Sequence, residues 1–246
     1  MSAPARPPRV SDATQRIRSR RRRTRLRRLR GIGIAVVVVA LVVGAGWLFG
    51  FSSVFAVRDV SVTGTAVLKP EVVEQLAQVP VGAPLATVDP EPIAARVANV
   101  PEVKSVTVSR AWPDGIRIEV TERTAAYAVS STTAGEYWLV DDTGVVFHTV
   151  TTVPKGLLVA TSSTVEVPVL QDVATVVAAL PDDLRKRVTS LKVTSGDDIT
   201  LVLTKNAQVV WGSATDSELK GRVAAALLKV SARVYDVSSP TYPVTR

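Results

Sequence analysis

The chain has 246 residues, no cysteine and a single histidine, His148, and its formal net charge is +8. The lack of cysteine excludes disulfides and thiolate metal sites, and one histidine leaves little for acid–base or metal chemistry. The basic charge is confined to residues 1–30, which hold twelve arginines and one acid, whereas the remainder holds 18 basic and 21 acidic residues. A nucleic-acid-binding domain would carry a basic face within its fold, so the acidic remainder argues against that class.

An uncharged apolar stretch covers residues 31–51. As a helix it would span about 31 Å, the thickness of a bilayer's hydrocarbon core. A cleaved export signal is the alternative, because Gly44-Ala45-Gly46 is a small-residue patch behind a short apolar core. The apolar run continues past this patch, which favours an uncleaved anchor. The predicted membrane-spanning residues are Ile32, Ile34, Val38, Leu41, Val43, Trp47 and Leu48.

Charge asymmetry predicts the orientation of this anchor. Ten arginines lie between positions 16 and 30, directly before the apolar stretch. Such a flank stays in the cytoplasm, so the C-terminal part is expected to be exported. The arginines nearest the membrane are expected to contact anionic lipid headgroups, which accounts for the basic tail without nucleic acid. These are Arg25, Arg27, Arg28 and Arg30.

Residues 54–124 alternate between strand and helix patterns. A short strand ends at Gly64, one helix begins near Pro70 with Val72, Val73 and Leu76 on one face, and a second begins near Pro90 with Ile93, Val97 and Val100. Two strands follow, carrying Val106 and Val108, then Ile116, Ile118 and Val120. The Trp112-Pro113-Asp114-Gly115 turn joins them. This order predicts a compact α/β unit with both helices on one face of a sheet.

Residues 125–246 indicate a second region richer in antiparallel pairing. Hairpins are predicted around Asp142-Thr143-Gly144 and near Asn206, and in the second of these Ile199, Leu201 and Leu203 share a face. A short helix is expected over residues 172–180. Another is predicted after a capping box at Thr215-Asp216-Ser217-Glu218, with Leu219, Val223, Leu227 and Val230 on one side. A last extended segment closes the chain.

Several segments resemble the FtsQ/DivIB family of bacterial cell-division proteins. The resemblance is strongest in FAVRDVSVTG and in VANVPEVKSVTVSRAWPDGIRIEVTER, with the Arg-x-Trp-Pro turn and the closing Glu-Arg pair. WLVDDTGVVF, VVWGSATDSELKGRVAAALL and YDVSSPTYPVTR extend it to about residue 244. The family implies an α+β architecture in which one N-terminal transmembrane helix precedes a POTRA domain (βααββ) and a mixed antiparallel β-sheet domain with packed helices. The expected divisions are a basic cytoplasmic tail (1–30), the transmembrane helix (31–51), the POTRA domain (54–124), the β-rich domain (125–240) and a C-terminal tail (241–246).

The resemblance also implies a function. The protein is expected to be a non-enzymatic divisome scaffold at the septum that contacts other bitopic division proteins of the FtsB/FtsL type and the septal peptidoglycan synthase complex. Exposed strand edges would accept extended partner segments. The implied contacts in the β-rich domain are Lys220, Tyr235, Asp236, Val237, Ser238 and Ser239, of which Tyr235, Val237 and Lys220 also have purely structural interpretations. Weaker candidates in the POTRA domain are Arg58, Arg110, Trp112 and Arg117, with Trp112 more typical of a packing residue.

Catalytic interpretations have little support in the residues. His148 has no nucleophile motif around any serine, and the acid pairs at 141–142, 182–183 and 197–198 are typical of turns and helix starts. No G-x-x-x-x-G-K-[ST] loop is present, so nucleotide binding is not indicated. The sequence predicts no cofactor, no metal, no nucleic acid and no small-molecule substrate. The alternative function is a POTRA-bearing transport or envelope-assembly factor that chaperones polypeptides.

Overall fold

The computed structural model describes residues 30–48 and 55–246. Helix α1 covers Arg30–Leu48 and is long and apolar enough to cross a membrane, by length and composition. All seven predicted membrane-spanning residues lie on it, and their side chains are exposed. Of the predicted headgroup arginines, Arg25, Arg27 and Arg28 lie outside the described residues, as do positions 49–51 at the end of the predicted span.

The chain divides into two compact units. Beyond α1, the described part of the smaller unit comprises residues 55–60, 80–89 and 110–116. Here Val57, Leu85 and Val88 are buried. The Val57 N–H donates to the Ala83 carbonyl at 2.9 Å, and the Gly82 N–H donates to the Val57 carbonyl at 2.8 Å. These bonds join Val57 to residues 82–83, which precede a short 3₁₀ turn, Leu85–Thr87.

The larger unit comprises residues 61–79, 90–109 and 117–246. Strands β1 (Asp59–Thr63), β2 (Val103–Ala111) and β3 (Gly115–Glu122) form a sheet in the order β1–β3–β2. Residues 59–60, 110–111 and 115–116 of these strands belong to the smaller unit. The alternating pattern of β3 is confirmed, since Ile116, Ile118 and Val120 are all buried. Helices α2 (Pro70–Ala77) and α3 (Pro90–Ala98) begin at the two predicted prolines.

The predicted apolar face of α2 is confirmed for Val73 and wrong for Val72 and Leu76. Val73 and Ala77 are the buried pair, four residues apart, while Val72 and Leu76 remain 43% and 42% exposed. The adjacent Val72 and Val73 allow two helical registers, one continuing to Leu76 and the other to Ala77, and only packing decides between them. In α3 the prediction is confirmed for Ile93 and Val97, whereas Val100 lies beyond the end of the helix.

The second sheet has nine strands in the order β12–β11–β10–β9–β8–β7–β4–β5–β6. Pairing is parallel for β10–β11, β4–β7 and β7–β8 and antiparallel elsewhere, so the sheet is mixed as expected. Both predicted hairpins are present, β5–β6 and β9–β10. The strands are β4 (Tyr127–Ser130), β5 (Tyr137–Val140), β6 (Val146–Val150), β7 (Val159–Ser162), β8 (Val188–Ser195), β9 (Asp198–Leu203), β10 (Gln208–Gly212), β11 (Val234–Asp236) and β12 (Val244–Thr245).

Three helices accompany this sheet: α4 (Val167–Ala178), α5 (Asp182–Arg185) and α6 (Ser217–Leu227). The core includes Leu170 and Val173 of α4, Leu184 of α5 and Ala224 of α6, together with inward side chains of the strands. Helix α4 begins five residues before the predicted start. Pro168 is tolerated in its first turn, because the backbone N–H that proline lacks has no intrahelical partner there.

The expected capping box of α6 was wrong. Asp216, the N-cap residue, has φ 57° and makes no side-chain cap bond. The Ser217 hydroxyl instead donates to the Ala214 carbonyl at 2.7 Å and accepts from the Trp211 indole N–H at 3.1 Å. The Ser217 hydroxyl thus accepts the hydrogen bond of the only polar side-chain atom of Trp211, which is completely buried. This contact explains why Ser217 is itself buried.

The predicted apolar stripe of α6 also needs correction. The buried residues are Ser217, Lys220, Gly221 and Ala224. Of the predicted set, Val223 and Leu227 are partly buried against the core, Leu219 is 39% exposed, and Val230 is 58% exposed beyond the end of the helix.

Candidate partner-binding surfaces

The strongest sequence-based candidates lie in strand β11 and in the three residues directly after it. Strand β11 pairs parallel with β10, with Tyr235 opposite Val209 and Asp236 opposite Val210. The Tyr235 and Val237 side chains are buried, at 5% and 0% exposure. The Tyr235 hydroxyl donates to the Val230 carbonyl at 2.8 Å and accepts from the Ala232 N–H at 3.0 Å. Both side chains therefore support the sheet from inside.

The solvent-facing candidates are Asp236, Ser238 and Ser239. One Asp236 carboxylate oxygen accepts from the Ser238 N–H at 3.0 Å and from the Ser238 hydroxyl at 2.7 Å. This small turn fixes the chain direction where the strand ends. Gly212 (φ 73°) lies directly against this turn, since a Cβ at position 212 would be 3.0 Å from the Ser238 Cβ.

The β11 edge is not open, which corrects the expectation of an unpaired terminal strand. Strand β12 pairs with it antiparallel, Thr245 opposite Tyr235 and Val244 opposite Asp236. The sequence-based prediction assigned Val244 and Thr245 to a C-terminal tail (241–246) that follows the β-rich domain. A two-residue strand offers too little pattern to be recognised from sequence.

A cleft beside β11 carries five cationic side chains, and we call it the basic cleft: Arg187, Lys205, Lys229, Arg233 and Arg246. Its volume is about 820 Å³, and its described lining contains no acidic side chain. The Arg187 guanidinium reaches the Leu228 carbonyl at 3.5 Å. Cations without acidic neighbours give a positive potential that favours an anionic ligand. The sequence did not predict that these five cations lie together, because they are separated by up to 59 positions.

Lys220 is not a surface residue, being only 2% exposed. Its ammonium donates to the Ser213 carbonyl at 2.8 Å. Burial lowers the pKa of Lys220, while the charges of Asp216 and Asp197 act in the opposite direction. This lysine fixes the turn between β10 and α6, so any effect on a partner would pass through that turn.

The four weaker candidates have mixed exposure. Arg110 donates through Nε and Nη2 to the Val88 carbonyl, at 3.1 and 2.8 Å, which holds it against its own unit. Trp112 is 54% exposed and meets the Phe55 ring edge-on at a centroid distance of 6.0 Å. Its peptide bond to Pro113 is cis. Arg58 and Arg117 are exposed.

Sequence reasoning missed the role of the Glu122-Arg123 pair. The Glu122 carboxylate accepts N–H groups of Ala66, Val67 and Leu68 at 2.8 to 3.1 Å. Burial acts to raise the pKa of Glu122, but these bonds outweigh it and lower the pKa. Arg123 donates to the Asp141 carboxylate at 2.5 Å and to the Pro101 carbonyl at 3.1 Å.

Asp141 is fully buried and is a second missed residue. Besides Arg123, it accepts from the Thr143 N–H and hydroxyl and from the Val145 N–H, at 2.8 to 3.0 Å. Burial acts to raise the pKa of Asp141, yet these hydrogen bonds hold it below its usual value.

Two exposed ion pairs lie in the same unit as Arg123 and Asp141. Lys104 meets Asp142 at 2.8 Å, and His148 Nδ1 lies 3.1 Å from the Glu102 carboxylate. The single histidine is thus engaged with an acid on the protein surface. Among the described residues no group of three or more His, Asp or Glu side chains is placed to hold a metal ion.

Comparison with known proteins identifies two regions that follow α1 in the chain. Residues 55–123 match the family model described as POTRA domain, FtsQ-type, and residues 128–238 match Cell division protein FtsQ/DivIB, C-terminal. The chain belongs to the FtsQ/DivIB family. A Cell division protein FtsQ from Streptomyces venezuelae is 38% identical over 217 residues, covering 83% of this chain and 79% of that protein.

Two further relatives carry the same description. The one from Streptomyces collinus is 39% identical, covering 83% of each chain, and the one from Mycolicibacterium smegmatis is 34% identical, covering 84% of this chain and 62% of its own length. Membership supports a role in cell division within the divisome and interactions with other division proteins. The FtsQ family is generally non-catalytic, and the apolar helix α1 fits a single-pass membrane protein.

Proposed function

We propose that this protein is a non-enzymatic divisome scaffold that links early and late division proteins during septum formation. Its proposed partners are bitopic proteins of the FtsB/FtsL type and, through them, the septal peptidoglycan synthase complex. The proposed organisation keeps the five divisions given above, from the tail at 1–30 to the segment at 241–246. The N-terminus lies in the cytoplasm, the regions after residue 51 lie outside the membrane, and the protein gathers at the division septum.

The basic cleft is the observation that carries the binding proposal. It adjoins β11, the strand that the family resemblance singles out, and Tyr235 contributes to its lining. An acidic partner segment placed there would meet unneutralised cations, which favours encounter and orientation. Asp236, Ser238 and Ser239 offer polar contacts beside it, while Tyr235, Val237 and Lys220 hold the surface in shape.

The POTRA region supplies a second, weaker proposed surface. Strand β2 is the last strand in the order β1–β3–β2, and a terminal strand can accept an extended segment. Trp112 is the most exposed aromatic candidate in the turn after it. Arg58, Arg110 and Arg117 would contribute positive charge toward recruited division proteins.

Charge reversal in the basic cleft tests the main surface. The double variant Lys229→Glu with Arg233→Glu should abolish co-purification of the full-length chain with an FtsB-type protein, because it replaces two cations by two acids. Lys155→Glu, an exposed lysine elsewhere in the same unit, is the matched control and should leave co-purification intact. Retained binding in the double variant would show that the partner does not use this cleft.

Localisation provides an independent test of the septal assignment. A fluorescent fusion to the full chain should form a mid-cell band in constricting cells. Uniform envelope fluorescence would contradict the proposed place of action, whichever surface the partner uses.

A further inference from the structure

The C-terminal segment of the chain folds back on β11. The Tyr242 N–H donates to the Ser239 carbonyl at 3.0 Å, which closes a turn with Pro240 at its second position. Residues 244–246, which we call the strap, then run antiparallel along β11. The Arg246 N–H donates to the Val234 carbonyl at 2.9 Å, and the Arg246 carbonyl accepts from the Val234 and Arg233 N–H groups at 3.0 and 2.8 Å.

The strap is held by its backbone alone. Every residue from 241 to 246 is exposed, including Tyr242 at 83% and Val244 at 45%. The register joins only two residue pairs, Tyr235 with Thr245 and Asp236 with Val244. The ladder does not continue beyond Val244, because the amides that would make its next bonds are used elsewhere. The Tyr242 N–H donates to the Ser239 carbonyl, and the Ser238 N–H donates to the Asp236 carboxylate. Two-residue pairing without a buried side chain is weak.

We propose that the strap is a removable strand of the protein's own chain, which covers the β11 edge until an extended segment of the division partner displaces it. This inference rests on the proposed function of the same surface. A covered edge is protected from pairing with wrong chains. A partner strand that followed β11 and continued along the chain from Asp236 to Ser239 would form more backbone bonds than the two-residue ladder it replaces.

Opening the strap would also change the basic cleft. Arg246 belongs to both features, since it is one of the residues that line the cleft and its backbone pairs with Val234. Displacement therefore exposes the β11 edge and moves one of the five cations in a single step. Pairing of the partner's strand with β11 and binding of its acidic side chains in the basic cleft would then both favour displacement of the strap.

The first variant weakens the strap without removing a cation. Val244→Pro in the full-length chain removes the N–H of the residue paired with Asp236 and keeps Arg246. Deletion of residues 243–246 is the second variant, and Tyr242→Ala, at an exposed position outside the ladder, is the control. Binding of an FtsB-type protein is measured for each in detergent, together with hydrogen exchange at the Val234 amide.

The proposal predicts about tenfold tighter binding to Val244→Pro than to the unaltered chain or to Tyr242→Ala, because a competing closed state is removed. Exchange at Val234 should accelerate in both strap variants. A peptide with the sequence of residues 239–246 should bind the deletion variant and compete with the partner. Equal partner affinity in all chains, or unchanged exchange at Val234, would overturn the strap proposal while leaving the proposed function standing. Absence of partner binding to every chain would overturn both.

Discussion

Glu122 and Arg123 are adjacent at the end of β3, and they fix two different parts of the chain. The Glu122 carboxylate accepts hydrogen bonds from the three backbone N–H groups of residues 66–68. Arg123 donates to the Pro101 carbonyl and to the Asp141 carboxylate. The Glu-Arg pair was visible in the sequence, but its partners lie between 18 and 56 positions away. Pattern reading detects neighbours at helical or strand spacing, so it could mark the pair without revealing what the pair holds.

The Arg123–Asp141 pair should be worth much more than the adjacent Lys104–Asp142 pair. The Asp141 and Arg123 side chains are 0% and 18% exposed, against 66% and 38% for Asp142 and Lys104. Arg123→Ala leaves a buried carboxylate without its cation and should lower the free energy of unfolding by about 3 kcal/mol. Lys104→Ala is the matched control and should cost less than about 0.5 kcal/mol. Urea unfolding of the full chain in detergent, followed by tryptophan fluorescence, measures both, since Trp211 is buried. Equal effects would show that the buried pair contributes no more than a surface pair.

Asp141 should also make stability depend on pH. Its pKa is lowered in the folded protein from a usual value of 3.8, so its contribution is complete above that value and is lost as pH falls through the folded pKa. Asp141→Asn should therefore be less stable than the unaltered chain at pH 7, by about 1 to 2 kcal/mol. The gap should narrow below about pH 4. Unfolding titrations at pH 7, 5 and 3 measure it, with Asp142→Asn as the exposed control. A gap that stays constant down to pH 3 would contradict the assigned protonation.

Among the helices and strands, the buried residues were predicted correctly where the sequence pattern clearly separated buried from exposed positions. The β9 alternation placed Ile199, Leu201 and Leu203 correctly, because a strand with period two has only one buried register. Helix α6 failed, because its buried positions are Ser217, Lys220 and Gly221, which no apolar pattern selects. Those residues are buried through hydrogen bonds and close backbone approach, and neither is visible before the elements are assembled.

Gly221 provides the test of that close approach. A Cβ built at this position would lie 2.6 Å from the Ala179 carbonyl oxygen and 3.1 Å from the Pro181 Cδ. Replacing a helical glycine by alanine normally stabilises by about 0.5 to 1 kcal/mol. Gly221→Ala should reverse that sign and destabilise by about 1 to 3 kcal/mol, because the two backbone segments must separate. Thermal or urea unfolding of the variant measures the sign directly, and an increase in stability would show that α6 is not held this closely.

For the whole molecule, charge distribution and hydropathy predict an anchor and its orientation. The structure contains the predicted apolar helix at Arg30–Leu48, and the orientation stays a prediction. Both predictions depend on composition within a continuous stretch of sequence, here an arginine-rich tail followed by an apolar segment. The candidate binding surface could be predicted only in part. The family resemblance indicated β11, but the basic cleft combines residues 187 to 246, and the strap is a short return of the chain whose pairing depends on the finished sheet.

The absence of cysteine makes the orientation directly testable, because every introduced thiol is the only one in the chain. Lys155→Cys, at an exposed position of the larger unit, should react with a membrane-impermeant maleimide in intact cells. Ser19→Cys, within the arginine-rich tail, should react only after the cells are permeabilised, because the positive flank keeps that side in the cytoplasm. An N-terminal tag retained in the membrane fraction of the labelled protein distinguishes an anchor from a cleaved signal, since cleavage near Gly44-Ala45-Gly46 would remove it. Labelling of Ser19→Cys in intact cells would invert the topology, and loss of the tag would exclude α1 as a permanent anchor.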